Sequence, residues 1–172
     1  MAENVNKYNF KNPPKEMEYL DGEPFKLNQD LIFYHNKNIF RKELTKLQNV
    51  FNLYTKNPLI ASGIRDSYLD QELFENYFLV FFAKGDLIER CNEIIKQHVR
   101  KKIESGCFYL IILQEYMLLL SKDMNGLISG INIMEEIFIQ TFKDYFEQNN
   151  LDAFIQIPQF KLYSCKNINN KK

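Results

Sequence analysis

The stretch CFYLIILQEYMLLL, Cys107 to Leu120, constrains this chain more than any other part of it: of fourteen residues only Gln114 and Glu115 are strongly polar. A membrane-spanning helix needs about 20 nearly unbroken apolar residues. The run is too short and too interrupted for that, so protein has to cover it. Read as a helix, it is apolar on nearly every side and must be surrounded by other helices. That reading makes it the central helix, near 107–121, of an all-α bundle.

The rest of the chain supplies neighbours for such a helix. From 28 to 56 the positions Leu31, Ile32, Phe40, Leu44, Leu47, Phe51 and Tyr54 keep helical spacing, with Asn28 or Asp30 as cap. One long helix, or a helix kinked at Asn36 to Asn38, is expected there; Leu31 to His35 taken alone could be a short strand and Asn36 to Asn38 a break between two pieces. A second helix is expected over 67–84. Gly85 and Asp86 then combine a C′ glycine with an N-cap, turning the chain into a third helix over 86–103. Its apolar residues Leu87, Ile88, Cys91, Ile94, Ile95, Val99 and Ile103 form a stripe at spacings of three and four. A last long helix over 126–148 uses Leu127, Ile131, Met134, Phe138, Phe142 and Tyr145, and Gly130 inside it suggests close backbone packing. The fold class expected is therefore a single-domain bundle of about five helices around the run at 107–121. Segments 81–95 and 118–137 each join a helix end, a polar turn and a helix start, so stacked αα-hairpins are an alternative arrangement.

Two flanking segments depart from helical patterning. Residues 1–27 carry Pro13, Pro14, Gly22 and Pro24 among charges and read as an extended arm before the helical domain at 28–150. In 151–172 the apolar positions alternate with polar ones and Pro158 prevents a regular helix, which predicts an extended segment with a disordered basic end.

Composition bounds the function. The 172 residues hold 22 Lys and Arg against 22 Asp and Glu, so no long-range field draws the chain to nucleic acid or an anionic membrane. Fifteen Phe and ten Tyr supply enough burial for a core without staples. Cys91, Cys107 and Cys165 lack CxxC spacing and read as reduced thiols. Met1 to Phe10 lacks the layout of a signal peptide, which points to a soluble, intracellular and most simply cytoplasmic protein. The Lys- and Asn-rich usage fits an AT-rich genome.

No catalytic, metal or cofactor site emerges from the residues. There are two histidines, His35 and His98, and Glu93 stands five residues before His98, on a different helical face from it. Cys91 and Cys107 have apolar flanks that raise a thiol pKa. Glu72 with Glu75 and Glu135 with Glu136 read as solvated faces, and no Gly-rich phosphate loop is present. Two surface candidates remain. The cluster Lys96, Arg100, Lys101 and Lys102 is a candidate anion-binding patch, although cations at a helix end also complement its dipole. The aromatic segment Phe154, Ile157, Phe160 and Tyr163 is a candidate partner-binding element. The expectation is a non-enzymatic protein-interaction module or adaptor, with a protein partner, no membrane span and room for homo-oligomerisation. A nucleic-acid-binding regulator using 96–102, or a bundle holding an apolar ligand, are the alternatives.

Overall fold

In the computed structural model the described residues are 8–27, 32–35, 38–54, 64–66, 77–82, 102–147 and 155–166. Strands β1 (Glu16–Tyr19), β2 (Phe25–Leu27) and β3 (Ile32–His35) lead through a 3-10 turn (Asn38–Phe40) into helix α1 (Arg41–Tyr54). Strands β4 (Ile64–Asp66) and β5 (Tyr77–Phe82) precede β6 (Cys107–Ile112) and β7 (Tyr116–Ser121). Helix α2 (Met124–Glu147), β8 (Ile155–Ile157) and β9 (Phe160–Cys165) complete the described elements.

The apolar run is thus a β-hairpin and not a helix, which overturns the all-α bundle. Every residue of β6 and β7 is buried. A strand covered on both faces reads as a continuous apolar run, without the alternation that identifies a half-buried strand, so its periodicity fits helix and strand alike. Gln114 and Glu115, which interrupt the apolar run, are the exposed tip of the turn, closed by the Leu113 N–H donating to the Tyr116 carbonyl at 2.9 Å.

Seven strands form one mixed sheet in the order β1-β9-β6-β7-β5-β3-β4. The β7, β5, β3 and β4 neighbours run parallel, whereas β1, β9, β6 and β7 alternate antiparallel. A second, two-stranded sheet pairs β2 with β8 antiparallel. The expected helix over 67–84 is overturned at 77–82, where β5 runs. That over 86–103 falls almost wholly outside the described residues. In the 28–56 segment, β3 occupies 32–35 and helix begins only after the break, at Arg41. Of the expected helices, the one over 126–148 coincides with an observed helix along nearly its whole length.

Helix α2 lies on one face of the sheet, its buried side made by Leu127, Ile131, Met134, Ile137, Phe138 and Phe142. Facing it from the strands are Phe108, Leu110, Ile112, Met117, Leu119, Phe160 and Leu162, and from α1 come Leu44, Leu47 and Val50. Two glycines let the helix backbone reach the sheet. A Cβ on Gly126 would overlap the Cys107 carbonyl, lying 2.8 Å from its carbon, and one on Gly130 would lie 2.5 Å from Leu119 Cδ1 and 3.1 Å from Phe108 Cδ2. Among the described residues no helix is long and apolar enough to cross a membrane.

The described parts of the terminal segments, 8–27 and 155–166, supply β1 and β9 to the large sheet and β2 and β8 to the small one, and pack into the core. Tyr8 is buried with its hydroxyl 2.9 Å from Thr141 Oγ1. Gln140 clamps the Asn9 peptide, accepting from its N–H and donating to its carbonyl, each at 2.9 Å. The Lys11 N–H donates to Glu136 at 2.9 Å. These side chains of α2 give the arm hydrogen bonds that a strand partner would otherwise supply.

The junction of β7 and α2 is set by Asp123. Its carboxylate caps the helix by accepting from Gly126 N–H at 3.0 Å, and it also accepts from Gly106 N–H at 3.0 Å and Ser105 Oγ at 2.8 Å. Partial burial pushes its pKa up, but the Gly126 and Gly106 amides, the Ser105 hydroxyl and the Lys122 charge outweigh that and hold it below the usual value. Asp123→Ala should cost about 1 kcal/mol, the typical worth of a cap, with little added by the solvent-screened charge. Because the folded pKa is the lower one, this contribution is complete above about pH 4 and fades as pH falls through the folded value. Urea midpoints of the two proteins across pH 2 to 7 should therefore separate near neutrality and converge in acid; a gap independent of pH would refute the assignment.

Candidate functional site

The face of β1, β9 and β6 turned away from α2 carries the polar surface that stands out on the described chain. Alternation along a strand sends successive side chains to opposite faces. In β1, Met17 and Tyr19 pack against the core while Glu16 and Glu18 are exposed on the other side. In β9, Phe160 and Leu162 are buried while Lys161 is exposed and Tyr163 half-buried. Register then aligns the rows: Glu16 lies opposite Tyr163, which lies opposite Tyr109 of β6, and Glu18 lies opposite Lys161. With Lys102 and Glu104 from the segment entering β6, these residues line a groove of about 410 Å³.

Tyrosines make its floor. Tyr109 is 5% exposed, and burial raises its phenol pKa; the nearby Lys161 ammonium opposes that shift and the Glu18 carboxylate adds to it. The Tyr163 hydroxyl accepts from Glu104 N–H at 3.3 Å, tying the incoming segment to β9. Among pairs of described residues the one ion pair is Lys46 with Glu43 on α1, so the carboxylates and ammoniums around the groove are not consumed by one another.

One residue further along the same face pattern, Cys107 and Cys165 stand opposite each other and form a disulfide. The reading of these two as reduced thiols is therefore corrected. The bond joins neighbouring strands whose cysteines are 58 residues apart, a pairing that no local spacing motif signals. It pins together the strands that carry Tyr109 and Tyr163.

The residues singled out from sequence are dispersed. Ile157 is fully buried opposite Phe25, and Phe160 is fully buried with Tyr8 and Tyr19 edge-on to it at 6.2 and 5.9 Å. In the folded chain neither is available to a partner. Tyr163 alone of that set reaches the groove, and Phe154 lies outside the described residues. So do Lys96, Arg100 and Lys101; Lys102 is exposed, but in company with Glu16, Glu18 and Glu104, which disfavours a polyanion there. His98, Cys91, Glu72 and Glu75 are also outside the described residues. His35 ends β3 in register with Asp66 of β4. Among the described residues no group of three or more His, Cys, Asp or Glu is placed to hold a metal ion.

The groove residues Glu16, Glu18, Tyr109 and Lys161 were missed. A signal existed in the period-two pattern of EMEY at 16–19 and FKLY at 160–163, but the bundle reading left the first of these in an arm and gave the outward positions no role.

Comparison with known proteins gives a fold and no family. No family model matches the chain, and no curated protein matches it. Among solved structures it is similar to CpGH84D (TM-score 0.63, 10% identity, 93% of this chain and 24% of that one). It is also similar to the GH20 β-N-acetylhexosaminidase of Streptomyces coelicolor A3(2) (0.55, 9%, 88% and 25%) and to the β-N-acetylhexosaminidase of Bacteroides fragilis NCTC 9343 (0.51, 12%, 90% and 24%). The chain spans about a quarter of the length of these proteins. At such identity the likeness is one of fold alone.

Two measurements check the site. In an alkaline spectrophotometric titration, Tyr109→Phe should remove a phenol that ionises above the ordinary value of 10.0, and Lys161→Met should move that phenol higher still; an unchanged curve in both would contradict the geometry. Replacing Cys107 and Cys165 by Ser should lower unfolding stability by about 2–4 kcal/mol, since the bond closes a long loop; no loss in a urea titration would mean the bond is absent.

Proposed function

We propose that this chain is a non-catalytic accessory domain that works by binding, through the groove on β1, β9 and β6. The observation that carries the proposal is the arrangement of its acids. Glu16 and Glu18 sit two residues apart on one strand and project side by side from one face. With Glu104 from the segment entering β6 and the ammoniums of Lys102 and Lys161, they make a rim of hydrogen-bonding groups suited to holding a ligand.

The likeness to hexosaminidases covers only about a quarter of each and does not extend their chemistry to this chain. The partner-binding tail has lost its basis with Ile157 and Phe160 in the core. The Cys107–Cys165 bond favours an oxidising compartment over the cytoplasm.

The purified chain incubated with 4-nitrophenyl N-acetyl-β-glucosaminide should release nitrophenol no faster than buffer does. Turnover that disappears in Glu16→Gln or Glu18→Gln would overturn the binding-only reading.

A further inference from the structure

We infer that the groove on β1, β9 and β6 is a binding site for a neutral, hydroxyl-rich ligand: a saccharide ring. The inference deepens the binding reading above and rests on it. Its basis is the chemistry of the lining taken together with the size and openness of the space.

Three carboxylates, from Glu16, Glu18 and Glu104, and two ammoniums, from Lys102 and Lys161, surround the groove. Carboxylates only accept hydrogen bonds and ammoniums only donate them. An anion would meet three like charges, and a polycation two. A ligand whose every polar group both donates and accepts satisfies both kinds of partner without adding a charge, and a polyol is that kind of ligand. The exposed heads are also available for it: Glu18 and Lys161 face each other across the β1–β9 ladder, yet no ion pair joins them.

The floor completes the match. Of the cross-strand neighbours Tyr109 and Tyr163, the half-buried Tyr163 supplies aromatic surface beneath the charged rim, while Tyr109 is only 5% exposed. A sugar ring has an apolar C–H face as well as a hydroxyl rim, so it can lie on Tyr163 while its edge meets the charges. The groove's volume of about 410 Å³ falls in the range of small-molecule sites, roughly 300–1,000 Å³. The Cys107–Cys165 bond and the Tyr163–Glu104 hydrogen bond hold β6, β9 and the entering segment in place before any ligand arrives. Such preorganisation reduces the ordering cost of binding.

Saturation-transfer difference NMR on the full 172-residue chain tests the inference. The probes are the methyl glycosides of glucose, galactose, mannose and N-acetylglucosamine, with N-acetylneuraminic acid and a tri-arginine peptide as charged controls. At least one neutral glycoside should receive saturation, and the double variant Glu18→Gln, Lys161→Met should weaken its binding about tenfold. Both positions are exposed, so circular dichroism should show the variant folded; if it is not, Tyr163→Phe with Lys102→Met reads the same groove. Absence of transfer to all four glycosides overturns the inference, as does binding that the variants leave unchanged or binding confined to a charged probe. Free sugar accumulating in the same spectra would instead signal turnover, which counts against the binding-only reading and leaves the groove's ligand class standing.

Discussion

The contact on which the rest of this structure depends is the seating of helix α2 on the β6–β7 hairpin. Both strands are buried along their whole length, and full burial of each Leu, Ile or Phe side chain there contributes about 1.5–3 kcal/mol. Backbone polar groups at such depth must be paired. The sheet does this with antiparallel ladders to β9 on one side and a parallel ladder to β5 on the other. Gly126 and Gly130 let the helix come close enough to fill the space above Phe108 and Leu119, and Asp123 fixes where the helix starts relative to the turn before β6. The N-terminal arm, the small sheet and β9 then take their places around this contact.

What the chain announced and what it concealed differ for physical reasons. Helix α2 was legible because one of its faces is apolar and the other wet, giving spacings of three and four from Leu127 to Phe142. The hairpin was not, because a strand buried on both sides loses the alternation that distinguishes it, and Gln114–Glu115 looked like an interruption instead of a turn. Around β3 the signals were all present: a short run at Leu31 to His35, then a polar break, then the helical stripe of α1. Helical spacing alone joins the two runs into one helix, whereas the polar break separates them. Phe160 and Ile157 illustrate a different loss, since a tail with alternating apolar residues is as ready to join a sheet edge in its own chain as to dock elsewhere.

The candidate site was illegible for a related reason. Its residues come from β1, β6, β9 and the segment at 102–104, more than 140 positions apart at the extremes, and only register brings Glu16, Tyr163 and Tyr109 into one row. Neutral overall charge gave no hint of a place where opposite charges gather without pairing. The same face explains the disulfide: Cys107 and Cys165 share a row next to Tyr109 and Tyr163, so the bond stabilises the platform on which the groove is built.

Gly126→Ala tests directly whether α2 rests on β6 and β7. In a free-standing helix or a loosely packed bundle the change would add helix propensity, up to about 1 kcal/mol in favour of the folded state. Here the new methyl would run into the Cys107 carbonyl, part of a backbone held by the sheet, which cannot yield as a side chain could. Overpacking of this kind costs about 1–3 kcal/mol. The urea midpoint of Gly126→Ala should therefore fall below that of the parent chain. A midpoint that rises would place the helix away from the hairpin and contradict that contact.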